Sequence, residues 1–165
     1  MMRIKKDFDF ANGFQAVLLA PDERFAVLAE WMSLWEASVR STHGFLTQGD
    51  IVALRLVVRP ALTTVPEWWG MRDRSGRWVA FMGMAGEGLE MLFVYPAAQG
   101  MGLGRHLVLK AVGERGVRFV DVNEQNVAAP GFYERMGFTV ACRSETDGQG
   151  NPFPLLHMQW EEQSG

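Results

Sequence analysis

The sequence predicts a mixed α+β domain whose central, mostly antiparallel sheet has about seven strands and is flanked by about four helices. Three observations support this fold class. Short apolar runs bounded by turn residues indicate strands, and two segments near the start carry apolar residues at helical spacing. A glycine-rich loop, QGMGLG at residues 99–104, separates one apolar run from another helical segment. The predicted order is β-α-α-β-β-β-α-β-α-β-β, with a parallel β–loop–α–β unit at its centre.

The first half of the chain supplies one strand and two helices. Residues 14–20, FQAVLLA, are typical of a strand, and Pro21 with the acidic pair after it suits the first turn of a helix. This helix is expected to end near residues 42–44. Its predicted buried face consists of Phe25, Leu28, Ala29, Met32 and Trp35. The TQGD segment at residues 47–50 resembles a capping box for a second helix, which Pro60 is expected to stop.

The second half consists of strands on both sides of the glycine loop. Residues 67–73 and 77–85 are predicted to form a hairpin, and residues 89–95 form the strand that leads into the loop. The helix after the loop is expected to end near residues 113–116. Its predicted buried side consists of Leu103, Leu107 and Ala111. The remaining elements are a strand at 117–122, a short helix at 129–136, and strands at 138–144 and 155–160.

Length and composition indicate a single domain over residues 1–165, with residues 1–13 as an extra strand or a flexible arm. No apolar run approaches the roughly 18 residues that span a bilayer, and the N-terminus lacks the apolar stretch of a signal peptide. The net charge of −3 gives no basic surface for nucleic acid or an anionic membrane. We therefore expect a cytoplasmic monomer or homodimer, without nucleic-acid or membrane partners.

The histidines and the cysteine show no metal-binding pattern. His43, His106 and His157 lie far apart and form no H-x-x-x-H pair, and Cys142 is the only cysteine. We therefore expect no metal site and no intrachain disulfide.

The glycine loop indicates a phosphate site, because glycines let backbone N–H groups approach a ligand closely. A Walker loop is excluded, since no Lys-Ser or Lys-Thr pair follows the glycines. A dinucleotide fingerprint would use Asp121 at a ribose, but Arg105 stands where its third glycine belongs. The pattern that fits is Q-x-x-G-x-G, formed by Gln99, Gly102 and Gly104.

A second motif lies at a matching distance along the chain. It reads N-x-x-A-x-x-x-Y-x-x-x-G-F and consists of Asn126, Ala129, Tyr133, Gly137 and Phe138. Together the two motifs resemble the GNAT superfamily of acetyl-CoA-dependent N-acetyltransferases. The segments STHGFL, VNEQN and GFYERMGF are similar to its small bacterial YjaB-like branch. The resemblance covers roughly residues 14–160.

The resemblance implies a GNAT-type fold that opens between its fourth and fifth strands for acetyl-CoA. The implied cofactor-binding residues are Leu92, Phe93, Val94, Gln99, Gly100, Met101, Gly102, Leu103, Gly104, Arg105, Asn126 and Tyr133. The physics of the loop agrees, because a helix that begins there directs unpaired N–H groups at a pyrophosphate. Arg105 and, further along, Lys110 would add positive charge near the nucleotide, although Arg105 is equally well read as a solvated helix residue.

Acetyl transfer to an amine requires a base, because only about one part in a thousand of a lysine-like amine is neutral near pH 7.5. Glu90 and His43 are both candidates, since Gly88 stands where many family members carry a glutamate. Tyr133 is the candidate acid that protonates the departing thiolate, and a structurally buried tyrosine is the alternative. Asn126 would bind the pantetheine or cap the short helix. A backbone N–H on residues 92–94 would stabilise the oxyanion.

The function implied by the resemblance is transfer of an acetyl group from acetyl-CoA to a primary amine, by direct attack in a ternary complex. The acceptor is a protein lysine or a small-molecule amine, and the YjaB-like segments favour lysine. A non-catalytic acyl-CoA-binding or regulatory module is the alternative. The loop at residues 147–152 and the turn at residues 42–44 are expected to shape the acceptor side.

Overall fold

A computed structural model describes residues 13–162, and the elements follow the predicted order. The interpretation offered for the N-terminal segment lies outside these residues, except for Gly13. The elements are β1 (Gln15–Leu19), α1 (Arg24–Thr42), α2 (Gln48–Thr64), β2 (Glu67–Arg72), β3 (Trp78–Ala85), β4 (Gly88–Val94), α3 (Leu103–Arg115), β5 (Phe119–Asn123), α4 (Ala128–Arg135), β6 (Phe138–Ser144) and β7 (Leu155–Trp160). Short 3-10 turns at Pro21–Glu23 and Pro96–Ala98 precede α1 and α3.

The strands form one seven-stranded sheet in the spatial order β1-β2-β3-β4-β5-β7-β6. Its pairs are antiparallel, except that β4 and β5 run parallel, so the predicted mixed sheet is confirmed. Within the described chain, β4 and β5 pair at Gly88↔Phe119 and Leu89↔Val120 and then separate. The sheet therefore opens toward the C-terminal end of β4, where the glycine loop begins.

Helices cover the sheet on both faces and create two cores. Helices α1 and α2 bury Trp31, Trp35 and Val58 against one face, where Trp31 stacks on Phe81 with ring centroids 4.7 Å apart. Helix α3 buries Leu103, Leu107 and Ala111 against the other face, as the periodicity predicted. Strand β4, which forms one edge of the opening, therefore packs against helices on both of its faces.

The buried face of α1 differs from the predicted one. Phe25 is 76% exposed and Ala29 is also exposed, while Trp35 is buried as expected. The buried residues of α1 are Arg24, Trp31, Leu34, Trp35, Ser38 and Val39. The apolar side chains near the start of α1 are spread around the helix, so periodicity did not select the face that the large tryptophans bury.

The predicted end of α2 at Pro60 is wrong, because the helix continues through Pro60 to Thr64. Pro60 lies on the exposed side, and Leu62 beyond it is buried at 4% exposure. The Thr63 and Thr64 hydroxyls donate to the Pro60 carbonyl at 2.7 and 3.1 Å. Burial of Leu62 thus holds one further turn that the proline alone disfavours. Within residues 13–162, no helix is both long and apolar enough to cross a bilayer.

Candidate active site

A groove of about 480 Å³ lies where β4 and β5 separate. It is bounded by the end of β4, the glycine loop, the first turn of α3, the start of α4 and the end of α1. The sequence-predicted residues that line it are His43, Leu92, Phe93, Val94, Gln99, Gly100, Gly102, Leu103, Gly104, Arg105, Asn126 and Tyr133. Met101 lies in the same loop but does not line the groove, and it is 42% exposed.

The edge of β4 offers backbone amides to this groove. The Tyr95 N–H donates to the Val79 carbonyl on β3 at 2.7 Å. Because successive amides of a strand point to opposite edges, those of Leu92 and Val94 point toward β5, which has already diverged. The Gln99 side-chain amide donates to the Val94 carbonyl at 3.2 Å. The exposed edge therefore suits an extended ligand that pairs with it like an added strand.

The glycine loop leads directly into α3 and leaves amides without acceptors. Gly102 is the N-cap with φ 80, and the first intrahelical bond runs from the His106 N–H to the Gly102 carbonyl at 3.0 Å. The amides of Leu103, Gly104 and Arg105 therefore lack intrahelical acceptors. A Cβ on Gly104 would stand 3.5 Å from the Phe132 ring, so a larger side chain would occupy the groove. These features fit a pyrophosphate held by backbone groups.

The charged side chains that line the groove within the described chain are Arg105 and Arg135, with no Asp or Glu among them. Both arginines are exposed where they line the groove. Arg135 was missed from the sequence, although it lies two residues after Tyr133 in the second motif. Lys110 was wrongly expected here, since its ammonium pairs with Glu114 at 3.1 Å and lies 4.6 Å from the Trp69 ring.

Tyr133 is 7% exposed and packs edge-to-face against Phe132 and Phe138. Burial raises the pKa of its phenol well above the ordinary value, so the hydroxyl stays protonated at neutral pH. Its hydroxyl has no hydrogen-bond partner within residues 13–162. Tyr133 also lines the groove, so a ligand in that cavity can reach this side chain.

A second cavity of about 200 Å³ lies on the other side of the same opening, and we call it the cleft. Glu90 on β4 and Asp121 and Asn123 on β5 line it from opposite sides. His43 and Tyr133 line both the groove and the cleft. The two cavities therefore meet around these two side chains, which is the arrangement that a two-substrate transfer requires.

His43 ends α1 with an orientation that suits a base. The Thr42 hydroxyl donates its proton to the Ser38 carbonyl at 2.9 Å and lies 2.7 Å from the His43 Nδ1. Nδ1 is therefore the protonated nitrogen that donates to Thr42, and Nε2 keeps its lone pair. Burial lowers the pKa of His43 below its usual value, so the neutral ring prevails at pH 7. Thr42 and Ser38 have no motif that would reveal them.

Glu90 and Asn126 keep their side chains available. Glu90 is exposed in the cleft, and it forms no ion pair within the described range. The alternative for Asn126, an N-cap of α4, is wrong, because Val127 is the N-cap and no side chain caps that helix. Asn126 instead lines both cavities, while its backbone N–H donates to the Asn123 carbonyl at 3.1 Å.

Two loops meet beside His43, which lines the cleft. The Phe45 ring lies 5.4 Å from the His43 ring and 5.9 Å from the Phe153 ring, between centroids. The loop before Phe153 is held by the Asp147 carboxylate, which accepts the N–H groups of Gln149 and Asn151. Within residues 13–162, no group of three His, Cys, Asp or Glu is placed to hold a metal ion.

The chain is similar to known proteins. A family model described as "Acetyltransferase (GNAT) domain" matches residues 67–140. The peptidyl-lysine N-acetyltransferase YjaB of Salmonella typhimurium is 39% identical over 127 residues, which cover 77% of this chain and 87% of that protein. YjaB of Escherichia coli is 38% identical over 131 residues, which cover 79% and 88%. This chain belongs to the GNAT acetyltransferase family.

Solved structures agree with the assignment. The solution structure of apo YjaB from Escherichia coli has a TM-score of 0.75 and 33% identity, covering 91% of this chain and 99% of that one. The PaiA N-acetyltransferase of Thermoplasma acidophilum, solved with coenzyme A, has a TM-score of 0.67 and 17% identity, covering 91% of this chain and 99% of that one. At this identity the similarity supports the fold and nothing further.

This GNAT acetyltransferase transfers an acetyl group from acetyl-CoA to an amine. The non-catalytic module is not favoured. The roles of individual side chains remain predictions.

Proposed function

We propose that this GNAT acetyltransferase acetylates lysine side chains of proteins. The relatives named above as peptidyl-lysine N-acetyltransferases support this acceptor class. The cleft supports it as well, because Glu90 and Asp121 attract a cation and the opening lies at the surface. We also propose a single domain that is cytoplasmic and monomeric or homodimeric.

Residues of the groove are proposed to hold acetyl-CoA, which supplies an electrophilic thioester when bound. The amides of Leu103, Gly104 and Arg105 would bind the pyrophosphate, with Arg135 adding charge. The exposed edge of β4 would pair with the pantetheine, and an amide of Leu92 or Val94 would donate to the thioester oxygen.

His43 is the base that the geometry favours for the acceptor. Its Nε2 lone pair is available, and its lowered pKa keeps the ring neutral at working pH. Nε2 would accept a proton from the lysine ammonium, directly or through water, so that a neutral amine attacks. Glu90 is the second candidate, acting through water from the cleft.

Tyr133 is proposed to donate its phenolic proton to the departing sulfur. The observation that carries this role is a hydroxyl on a largely buried side chain, without a partner in the described chain, at the junction of groove and cleft. A structural tyrosine in this environment would satisfy its hydroxyl within the protein.

Thiol release with three matched peptides tests the acceptor. The first is N-terminally blocked with one lysine, the second carries norleucine instead, and the third carries norleucine with a free N-terminus. We expect release with the first peptide alone, with mass spectrometry locating the acetyl group on lysine. Release with the third peptide or only with a small amine such as butylamine would contradict a protein-lysine acceptor.

A further inference from the structure

The cleft is lined by two carboxylates, those of Glu90 and Asp121. Glu90 projects from β4 and Asp121 from β5, and no lysine or arginine lines the cleft among residues 13–162. Tyr133, a residue that is 7% exposed, lines the same cleft, and its hydroxyl has no partner in that range. A cationic ligand is the chemical class that this combination fits, since both acidic and hydroxyl oxygens accept from an ammonium.

The two carboxylates differ in how firmly they are held. Asp121 and His157 are cross-strand partners on β5 and β7, and Asp121 Oδ1 lies 2.6 Å from His157 Nδ1. His157 Nε2 in turn lies 2.6 Å from the Ser144 hydroxyl on β6. A carboxylate only accepts, so Nδ1 carries the proton and, in the neutral ring, Nε2 accepts from Ser144. One oxygen of Asp121 is therefore fixed by a chain across three strands, and the other stays available.

The face of the sheet that carries Asp121 and His157 is accessible to a large partner. Val120, Val122 and Met158 point into the core beneath α3 and α4. Their alternate neighbours, which include Asp121 and His157, point to the opposite face. There Phe119 is 46% exposed and Gln159 is exposed, so no helix of residues 13–162 covers this part of the sheet. A lysine on a folded protein can therefore approach Asp121 directly.

We propose that Asp121 binds the acceptor ammonium and that His157, fixed by Ser144, is a positioning residue for Asp121. This assignment rests on the proposed lysine acceptor and adds the residues that recognise its charge. The ammonium rests against the free oxygen of Asp121 beside the junction with the groove. His43 then receives the proton, and Asp121 takes no part in the proton transfer.

Steady-state kinetics of Asp121→Asn tests the assignment, with the blocked lysine peptide and with butylamine as acceptors. The substitution keeps size and removes charge, so we expect acceptor KM to rise about tenfold while kcat and the Kd of acetyl-CoA stay within about twofold. Glu145→Gln is the matched control, because Glu145 is a highly exposed carboxylate next to Ser144 that lies outside the cleft. We expect it to leave acceptor KM unchanged.

His157 variants separate positioning from general support of the fold. His157→Asn retains a side-chain N–H that reaches Asp121, whereas His157→Leu does not, so we expect near wild-type acceptor KM in the first and an increase of several-fold in the second. Equal KM in both variants would overturn the positioning role. A thermal melt of each variant confirms that the comparison is between folded proteins.

The outcomes distinguish this assignment from the proposed function. Wild-type turnover of the peptide with unchanged acceptor KM in Asp121→Asn would overturn the assignment alone. Turnover of butylamine but not of the peptide would overturn the protein-lysine acceptor, and the butylamine KM would still decide the role of Asp121. Turnover of neither amine would overturn both.

Discussion

The groove and the cleft meet at Tyr133 but are made from different parts of the chain. The groove presents backbone amides of β4 and α3 together with Arg105 and Arg135, and none of its described lining residues is acidic. The cleft presents the side chains of Glu90 and Asp121, and none of its described lining residues is lysine or arginine. One cavity thus favours an anion and the other a cation.

This opposition explains how a chain with a net charge of −3 accommodates a highly anionic cosubstrate. The proposed phosphate site consists of backbone amides and two local arginines, so it needs no basic surface elsewhere. The cleft carries opposite charge only a few residues away along β4, so each ligand is attracted to its own side. His43 and Tyr133 lie where the two fields meet.

The largest effect is expected at that junction. Tyr133→Phe removes a hydroxyl that has no partner in the described chain and keeps the ring packed against Phe132 and Phe138. We expect kcat to fall about 10²- to 10³-fold, with Kd for acetyl-CoA unchanged and no loss of thermal stability. Thiol release measures kcat, and calorimetric titration measures the Kd for acetyl-CoA.

Phe138→Leu is the matched control for Tyr133→Phe, since it alters the same aromatic cluster without touching the hydroxyl. It should lower the melting temperature and leave kcat of the folded fraction close to wild type. Normal turnover by the Tyr133→Phe enzyme would contradict the proposal that Tyr133 protonates the departing thiolate.

The second largest effect is expected on the binding of acetyl-CoA in the groove. Gly102→Asp places a Cβ and a negative charge at the N-cap of α3, so we expect acetyl-CoA binding to weaken at least about 100-fold. Gly76→Asp is the control, because Gly76 shares the positive φ (88 against 80 at Gly102) and lies in the β2–β3 turn. Equal affinities in calorimetry would contradict a backbone phosphate site.

The groove could be predicted from sequence far better than the cleft, for a physical reason. A strand, a glycine loop and a helix form a local unit, so the spacing of Gln99, Gly102 and Gly104 already specifies where amides point. The hydrogen bonds of the cleft instead join residues that are distant in sequence. Asp121 and His157 are 36 positions apart, and His157 and Ser144 are 13 apart, and the β5–β7–β6 register brings them together. No local pattern encodes that register, which is why Asp121 was considered only as a ribose ligand.

Local rules also failed where packing opposed them. Pro60 signals the end of a helix, yet the burial of Leu62 holds a further turn. Lys110 follows the glycine loop and was expected to add charge near the nucleotide, but its ammonium contacts the Trp69 ring and Glu114 instead. The element order followed from the pattern of apolar runs, whereas the contacts of individual charges depended on neighbours distant in sequence.

A substitution of His43 is expected to have a smaller effect on kcat/KM, and this effect should depend on pH. His43→Gln removes the proposed base, and we expect kcat/KM at pH 7 to fall about 10- to 100-fold. In the wild type, neutral His43 is the active form, so kcat/KM should decline as pH falls through its lowered pKa, below the usual 6.5. The variant should lose this acidic limb.

A second process has to be separated from that acidic limb. Because burial lowers the pKa of His43 in the folded state, the unfolded chain binds the proton more readily, and stability also declines as pH falls below about 6.5. Thermal melts at each pH distinguish the two processes. An unchanged acidic limb in His43→Gln would transfer the role of base to Glu90.

The smallest effect is expected for the arginines that give the groove its positive charge. Arg135→Gln removes one exposed charge near the phosphate-binding amides, and solvent screens such a charge strongly, so we expect Kd for acetyl-CoA to rise only about threefold. The salt dependence of Kd should become shallower, while kcat stays unchanged. Arg59→Gln on the far surface of α2 is the control and should alter neither. An effect of Arg135→Gln on acceptor KM instead would mean that the two cavities are not electrostatically separate.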